Sequence, residues 1–491
     1  MTWYDEIRQS WQRLQPSARG QWRQALPGLV VLGLILGGRF LGLFQGLELK
    51  MLDTFLRWRP AEPTDERVLI VGIDETDIQQ MGTYPIPDAD LAALLQELDR
   101  HQPRAVGIDI YRNFPVNPGH DEFVATLGEL PYVVGIEKIL ADPVPPPPSL
   151  PPERVGFIDL PIDHDGFVRR VLLGVHGADG AYRFALPLRL AELYLEESGV
   201  GLENGRRDPV AMRFGETELS RFQPNMGGYV GADAGSNEIF LNPRSGPVPF
   251  RRVSLQQVMD GEVDPAWIED AVVLIGITSM SVKDLINSAA VASENQGLIY
   301  GVEIQAHAAS QIIHAALDGR PLLHTRPDLG EYLWIILWGG VSIVLIRWLP
   351  SPSWYVLAIG ITGLGITGIS FMLLWLWGLW IPLVPTLVAF SVNGLLLPGF
   401  YLYDQTLRAR IAQRQRVIEE RQRVIEQTYN AIHNGPLQTL ALLLRNAGEE
   451  LNWSTTLEKL RSMDRDLRNI YETLLDASPD ADHQFLALAP F

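Results

Sequence analysis

The chain contains no cysteine among its 491 residues. Disulfides, Cys-ligated zinc and thiol catalysis are therefore excluded. The compartment stays open, because an extracytoplasmic domain can manage without disulfides. A positive balance is also missing. The formal net charge of -18 argues against nucleic acid as a main partner, and the acid is spread out rather than collected in a tail. The nine histidines show no metal-ligand spacing, so no metal site is expected. His307 and His314 stand seven apart on one predicted helix, and a surface or packing role is the plainer reading. The length exceeds what one core accommodates, so two or more domains are expected.

One long stretch lacks charge altogether. Arg347 is followed by no charged residue until Asp404, room for two spans of about 20 residues. "WLWGLWIP" (375 to 382) lies in its middle, and its tryptophans, Gly378 and Pro382 suit a turn at the membrane interface. "YLWIILWGGVSIVLI" (332 to 346) is a third apolar segment and "LPGLVVLGLILGGRFLGLF" (26 to 44) a fourth. The fourth carries Arg39, expensive in lipid unless it snorkels or pairs. Arg8, Arg13, Arg19 and Arg23 precede it, while Arg347 and the Arg-rich stretch from Arg408 flank the later spans. The positive-inside bias puts all these flanks in the cytoplasm. The expected organisation is a cytoplasmic segment at 1–25, a transmembrane helix at 26–46, an outer domain at 48–328, and transmembrane helices at 331–348, 354–376 and 380–402. The chain is thus expected in the inner (plasma) membrane, in contact with lipid, with its large domain outside the cytoplasm.

The outer region alternates strand and helix signals. "RVLIVGID" (67 to 74), "AVGIDIY" (105 to 111), "YVVGIEKI" (132 to 139) and "AVVLIGIT" (271 to 278) read as buried strands. "DADLAALLQELDRHQP" (88 to 103) and "GVEIQAHAASQIIHAAL" (301 to 317) read as helices. That order predicts an α/β domain with parallel strands. "DPVPPPPSLPPERV" (142 to 155) is a spacer or surface loop. Asp74 and Asp109 end two strands, and Thr278 and Ser279 end a third. Ligands of open α/β sheets sit at the carboxyl ends of strands, which makes these four the candidate binding residues. The plain alternative is that they cap the following helices.

This region resembles a known family. "DTFLRWRPAEPTDERVLIVGIDETDIQQMGTYPIP" (53 to 87), "GFIDLPIDHDGFVRRVLL" (156 to 173), "VVLIGITSMSVKDLINS" (272 to 288) and "YGVEIQAHAASQII" (300 to 313) are similar to the CHASE-two extracytoplasmic sensor domain. The resemblance implies a sensory input domain, three following spans and a cytoplasmic output. It leaves the signal unnamed. The family usually has a Trp-Pro pair and a basic residue where this chain reads Tyr84-Pro85-Ile86-Pro87-Asp88.

After Asp404 the chain turns charged and helical. "RQRVIEE" and "RQRVIEQ" (414 to 427) repeat in tandem, and Ile411, Ile418, Ile425 and Ile432 keep heptad spacing with Val417 and Val424 beside them. A parallel coiled coil over 404–432, and hence a homodimer, is expected. Thr455 and Glu458 form a capping-box pattern ahead of Leu457, Leu460, Met463, Leu467, Ile470 and Leu474. Two such helical hairpins (428–478) from two chains would make a four-helix bundle. His433 falls beside the heptad seam, followed by Asn434, Gly435, Pro436, Leu437 and Gln438. These residues resemble the dimerisation and phosphoacceptor domain of two-component histidine kinases of the nitrate-sensor type. The resemblance implies that His433 accepts phosphoryl, that Gln438 positions water for dephosphorylating a partner response regulator, and that Asn434 replaces the usual acidic residue. After Ala477 the chain reads "SPDADHQFLALAPF", and the cytoplasmic part holds no Gly-rich phosphate cradle. No cofactor is expected within this chain. ATP and Mg would enter only with a kinase domain supplied in trans or carried by a longer product. The competing class is a non-enzymatic membrane receptor or scaffold whose outer domain binds a partner.

Overall fold

The computed structural model describes residues 21–288, 291, 297–348, 352–445 and 453–476. Arg8, Arg13 and Arg19, the turn between the last helices and the tail after Asp476 lie outside the described residues. The chain divides into two units, Met1–Pro398 and Gly399–Phe491.

The first unit opens with α1 (Gln21–Phe40) and α2 (Gln45–Trp58), which meet at 79°. Gly42 makes the bend possible with φ +76, a conformation costly for a residue with a Cβ. The sensor-like domain follows: β1 (Asp65–Ile73), α3 (Glu75–Met81), α4 (Asp88–Asp99), β2 (Ala105–Asp109), α5 (His120–Glu129), β3 (Val133–Glu137) and β4 (Val155–Phe157). Then come β5 (Arg170–His176), β6 (Tyr182–Phe184), α6 (Leu186–Glu196), β7 (Leu202–Asn204), β8 (Met212–Phe214), β9 (Thr217–Leu219), β10 (Asn237–Phe240), β11 (Phe250–Ser254) and α7 (Leu255–Met259). The domain closes with β12 (Val272–Ile277), β13 (Leu285–Asn287), β14 (Leu298–Tyr300), α8 (Gly301–Asp318) and β15 (His324–Thr325).

Six of these strands form one parallel sheet in the order β11-β1-β12-β2-β3-β4. Both its faces are covered, which is why its strands read as unbroken apolar runs rather than alternating ones. Leu91, Leu94 and Leu98 of α4, Phe123 of α5 and Leu255 of α7 pack on one face. Leu188 and Leu190 of α6, with Val302, Ile304 and Ile312 of α8, pack on the other. The antiparallel sheets β10-β5-β6 and β7-β8-β9 and the pair β13-β14 sit beside this frame. The expected α/β class and all four sequence-read strands are present; the small antiparallel sheets were not foreseen.

Helices α9 (Asp328–Trp348) and α10 (Pro352–Trp377) are long and apolar enough to cross a membrane, and the bent α1–α2 pair is a third such element if taken as one span. α11 (Val384–Ile432) opens with a shorter apolar stretch, Val384–Phe400. Between α10 and α11, Gly378 adopts φ +65 and β16 (Leu379–Trp380) pairs with β15, which forms the turn expected around 375 to 382.

In the second unit, the part of α11 from Gly399 leads into a π-helical turn, His433–Leu437, then α12 (Gln438–Arg445) and α13 (Trp453–Asp476). α13 packs against the π turn and α12. Thr455 lies within this helix, not ahead of it.

Candidate functional site

The sheet creates a ligand-accessible edge because β12 feeds a helix on one face while its neighbours β1 and β2 feed helices on the other. Their carboxyl ends diverge there. A cavity of about 480 Å³ opens at this edge, lined by Asp74, Asp77, Arg252, Gln256, Asp260 and Thr278 among others. Thr278 lies so close under β1 that a Cβ on Gly72 would sit 2.4 Å from its hydroxyl oxygen.

The four predicted residues separate into different roles. Asp74 caps α3: its carboxylate accepts from the amides of Thr76 (2.7 Å) and Asp77 (3.0 Å). Asp77 completes the box by accepting from the Asp74 amide at 3.0 Å. Asp77 also accepts from the amides of Leu255 (3.3 Å) and Gln256 (3.1 Å), tying α7 to α3. Asp109 is nearly buried at the end of β2. Burial, and then the neighbouring Asp284 carboxylate, push its carboxyl up to about 7. The Ser279 hydroxyl donates to Glu75 at 2.5 Å and lies 2.8 Å from the Ser281 hydroxyl. The edge therefore brings Asp74 and Thr278 to one cavity, while Asp109 and Ser279 do not line it.

No group of three or more His, Asp or Glu side chains placed to hold a metal occurs among the described residues. His307 is buried, its Nδ1 accepts from the Arg244 amide at 3.2 Å, and burial holds its ring down to about 3. His314 sits between two carboxylates, Nε2 at 3.0 Å from Asp65 and Nδ1 at 2.5 Å from Asp318.

In the second unit His433 and Asn434 are exposed at the start of the π turn, and Gln438 is exposed just after it. The His433 ring stacks on Tyr429, centroids 5.8 Å apart. Pro436 explains the widened turn: in an α-helix its ring would collide with the carbonyl four residues back. Ile411, Ile418 and Ile425 remain 49%, 56% and 67% exposed, an apolar stripe left uncovered among the described residues.

Sequence reasoning missed the side of the sensor-like domain that packs against the apolar helices. Arg39 is buried against Glu331 and donates to the Gly227 carbonyl at 2.6 Å. The Gly227 amide donates to Glu331 at 3.1 Å. Glu48 accepts from the amides of Leu383 and Val384, both at 2.8 Å, at the start of α11. Behind them Arg169 bonds Asp53 (2.9 and 2.8 Å), Asp163 (2.9 Å) and Asp165 (2.9 and 2.7 Å), and Arg170 bonds Asp163 (3.0 Å) and Glu238 (2.7 Å). The Tyr229 hydroxyl donates to Asp163 at 2.6 Å. The available signal was the Arg169-Arg170 pair at the start of the apolar run 171–175.

The sequence matches the CHASE2 domain family over residues 30–344, and the chain belongs to that family. CHASE2 is an extracellular sensor domain typical of signalling receptors, and with two helices able to span a bilayer the chain is a candidate membrane protein. No curated protein matches the chain. No solved structure matches it either.

Proposed function

We propose that the protein is a membrane-bound sensor of two-component signalling that relays an extracytoplasmic signal to a phosphoacceptor histidine, His433. The observation that carries the reading is the exposed His433 at the head of a π turn, with Gln438 immediately after it. Four spans, at 26–46, 331–348, 354–376 and 380–402, put the outer domain on one side of the inner membrane and the coil at 404–432 on the other. The exposed isoleucine stripe supports a homodimer, and the half-exposed leucines of α13 support a four-helix bundle closed by the second chain. The signal binds at the sheet edge near Asp74, Asp109, Thr278 and Ser279. The Arg39–Glu331–Gly227 contacts supply a physical route from that domain to the spans.

In the reaction the neutral imidazole of His433 attacks the γ-phosphorus of ATP bound to a kinase domain supplied in trans or by a longer product. An N–P bond forms and ADP leaves. The phosphoryl group then passes to an aspartate of a response regulator. Gln438 orients water for its later removal, and Asn434 holds the ring without adding charge. Incubation with labelled ATP should give no label on the chain alone. Adding a related ATP-binding domain should give acid-labile label that is absent in His433→Gln. Acid-stable label, or label surviving that substitution, would favour the alternative of a non-enzymatic receptor. A cysteine at Ser198 should react with an impermeant thiol reagent from outside, and one at Gln415 should not.

A further inference from the structure

A second cavity, about 290 Å³, lies at the carboxyl edge of β2 and β3, away from the Asp74 cavity. It follows from two glycines. Gly119 (φ +93) lets the start of α5 touch the start of α4: a Cβ there would meet Ala89 at 2.5 Å. Gly135 on β3 leaves room for the proline loop, since a Cβ there would meet Leu150 at 2.6 Å and Pro147 at 3.1 Å. The first contact brings His120 to Asp88 and the second lays Pro147, Pro148 and Ser149 across from them.

Asp88 is fully buried. It sits 3.1 Å from the Arg112 guanidinium and accepts from the Val116 amide at 3.1 Å, so its charge is already matched. It also holds His120 through Nδ1 at 2.8 Å. His120 Nε2 has no hydrogen-bond partner among the described residues, and Phe123, Val124 and the two prolines form apolar walls around the cavity. His314, elsewhere in this domain, has a carboxylate near each nitrogen and the Arg67 guanidinium 3.1 Å from Nδ1. At His120 one of the two carboxylates is absent.

We propose that this cavity binds a small monocarboxylate, with the carboxylate on His120 Nε2 and an apolar body against Phe123, Val124, Pro147 and Pro148. One proton enters with the ligand to Nε2, so Asp88 and the ligand carboxylate face the Arg112 guanidinium and the His120 ring. A water occupies about 30 Å³ in the liquid, so the space accommodates an acid of benzoate size. The proposal concerns binding and stands whether or not the chain signals through His433.

The test uses the full chain in detergent micelles, with benzoate as the probe and benzamide as its uncharged counterpart, read by titration calorimetry. Benzoate should bind saturably at one site per chain, and benzamide at least ten-fold more weakly. His120→Gln should weaken benzoate at least ten-fold. Val124→Trp, whose indole fills the cavity, should do the same, and it keeps the test decisive if His120→Gln fails to fold. Equal binding of benzamide, retention in a folded variant, or no saturable binding overturns the proposal.

Discussion

The two ends of the outer domain treat charge in opposite ways. At the carboxyl edge of the sheet, Asp109 is buried beside another carboxylate, His120 keeps one nitrogen open, and two cavities enter. At the side towards the apolar helices, Arg169 meets three carboxylates, Arg170 two, and Arg39 closes on Glu331 and a backbone carbonyl. Desolvating charge is costly unless each group is matched in position as well as sign. The contacts on the helix side therefore specify one seating of the loop around Gly227, whereas the edge keeps groups that a ligand or a proton can still satisfy. The first property suits transmission and the second suits detection.

Breaking the matched side should produce the largest effect. Arg39→Leu leaves Glu331 buried without its partner and should cost about 3–5 kcal/mol. A lowered thermal midpoint of the detergent-solubilised chain would report it. The double variant Arg39→Leu/Glu331→Leu should recover most of the loss, because no charge is then left unpaired. Next comes Gly227→Ala. Its φ of +58 penalises a side chain, and the new Cβ would lie 2.2 Å from the Trp380 ring. Strain and overpacking together should cost about 2–4 kcal/mol. A loss under half of that would mean the loop is not held against Trp380.

The edge should be distinguished by pH. The Asp109 carboxyl is raised from 3.8 to about 7 in the folded chain, so folding favours its protonated form. That contribution is complete below pH 3.8 and is lost as pH rises through 7. Between pH 5 and 8 the loss should be on the order of 2 kcal/mol, and Asp109→Asn should flatten it. His307 acts in the reverse direction. Its ring is lowered from 6.5 to about 3, so its contribution is present above pH 6.5 and lost as pH falls towards 3. The two windows overlap between pH 3.8 and 6.5 with opposite signs, so chemical denaturation should show a flattened profile there, and Asp109→Asn should leave the acid-side loss of His307 by itself.

The parts legible in sequence were those in which burial is uniform. β1, β2, β3 and β12 are sealed on both faces, so their apolar runs announce them, and α8 shows its 3.6-residue period. β7, β8 and β9 span three residues each, too short for any period to appear. The contacts on the helix side were illegible for another reason: Arg39 and Glu331 stand 292 residues apart, and sequence carries no local sign of a partner at that distance. The requirement for one was visible, since an arginine inside an apolar segment needs a partner. The same limit separated Asp74 from Asp77. Both follow β1, but only the fold brings the amides of α7 onto the second.

That pair gives the smallest and most discriminating test. Asp74 serves one helix by accepting two amides, so Asp74→Ala should cost about 1 kcal/mol and Asp74→Asn nearly nothing, since asparagine caps equally well. Asp77 is buried and accepts amides from two helices, so Asp77→Ala should cost more than Asp74→Ala. Thermal melts of the three variants give the order directly. If Asp74→Ala proves neutral while Asp77→Ala does not, Asp77 alone organises this corner, and the Asp74 carboxylate is left available to a ligand in the cavity it lines. If Asp74→Ala loses as much as a cap should and Asp74→Asn restores it, the helix accounts for the carboxylate, and recognition at this edge falls to Thr278 and the glutamines of α7.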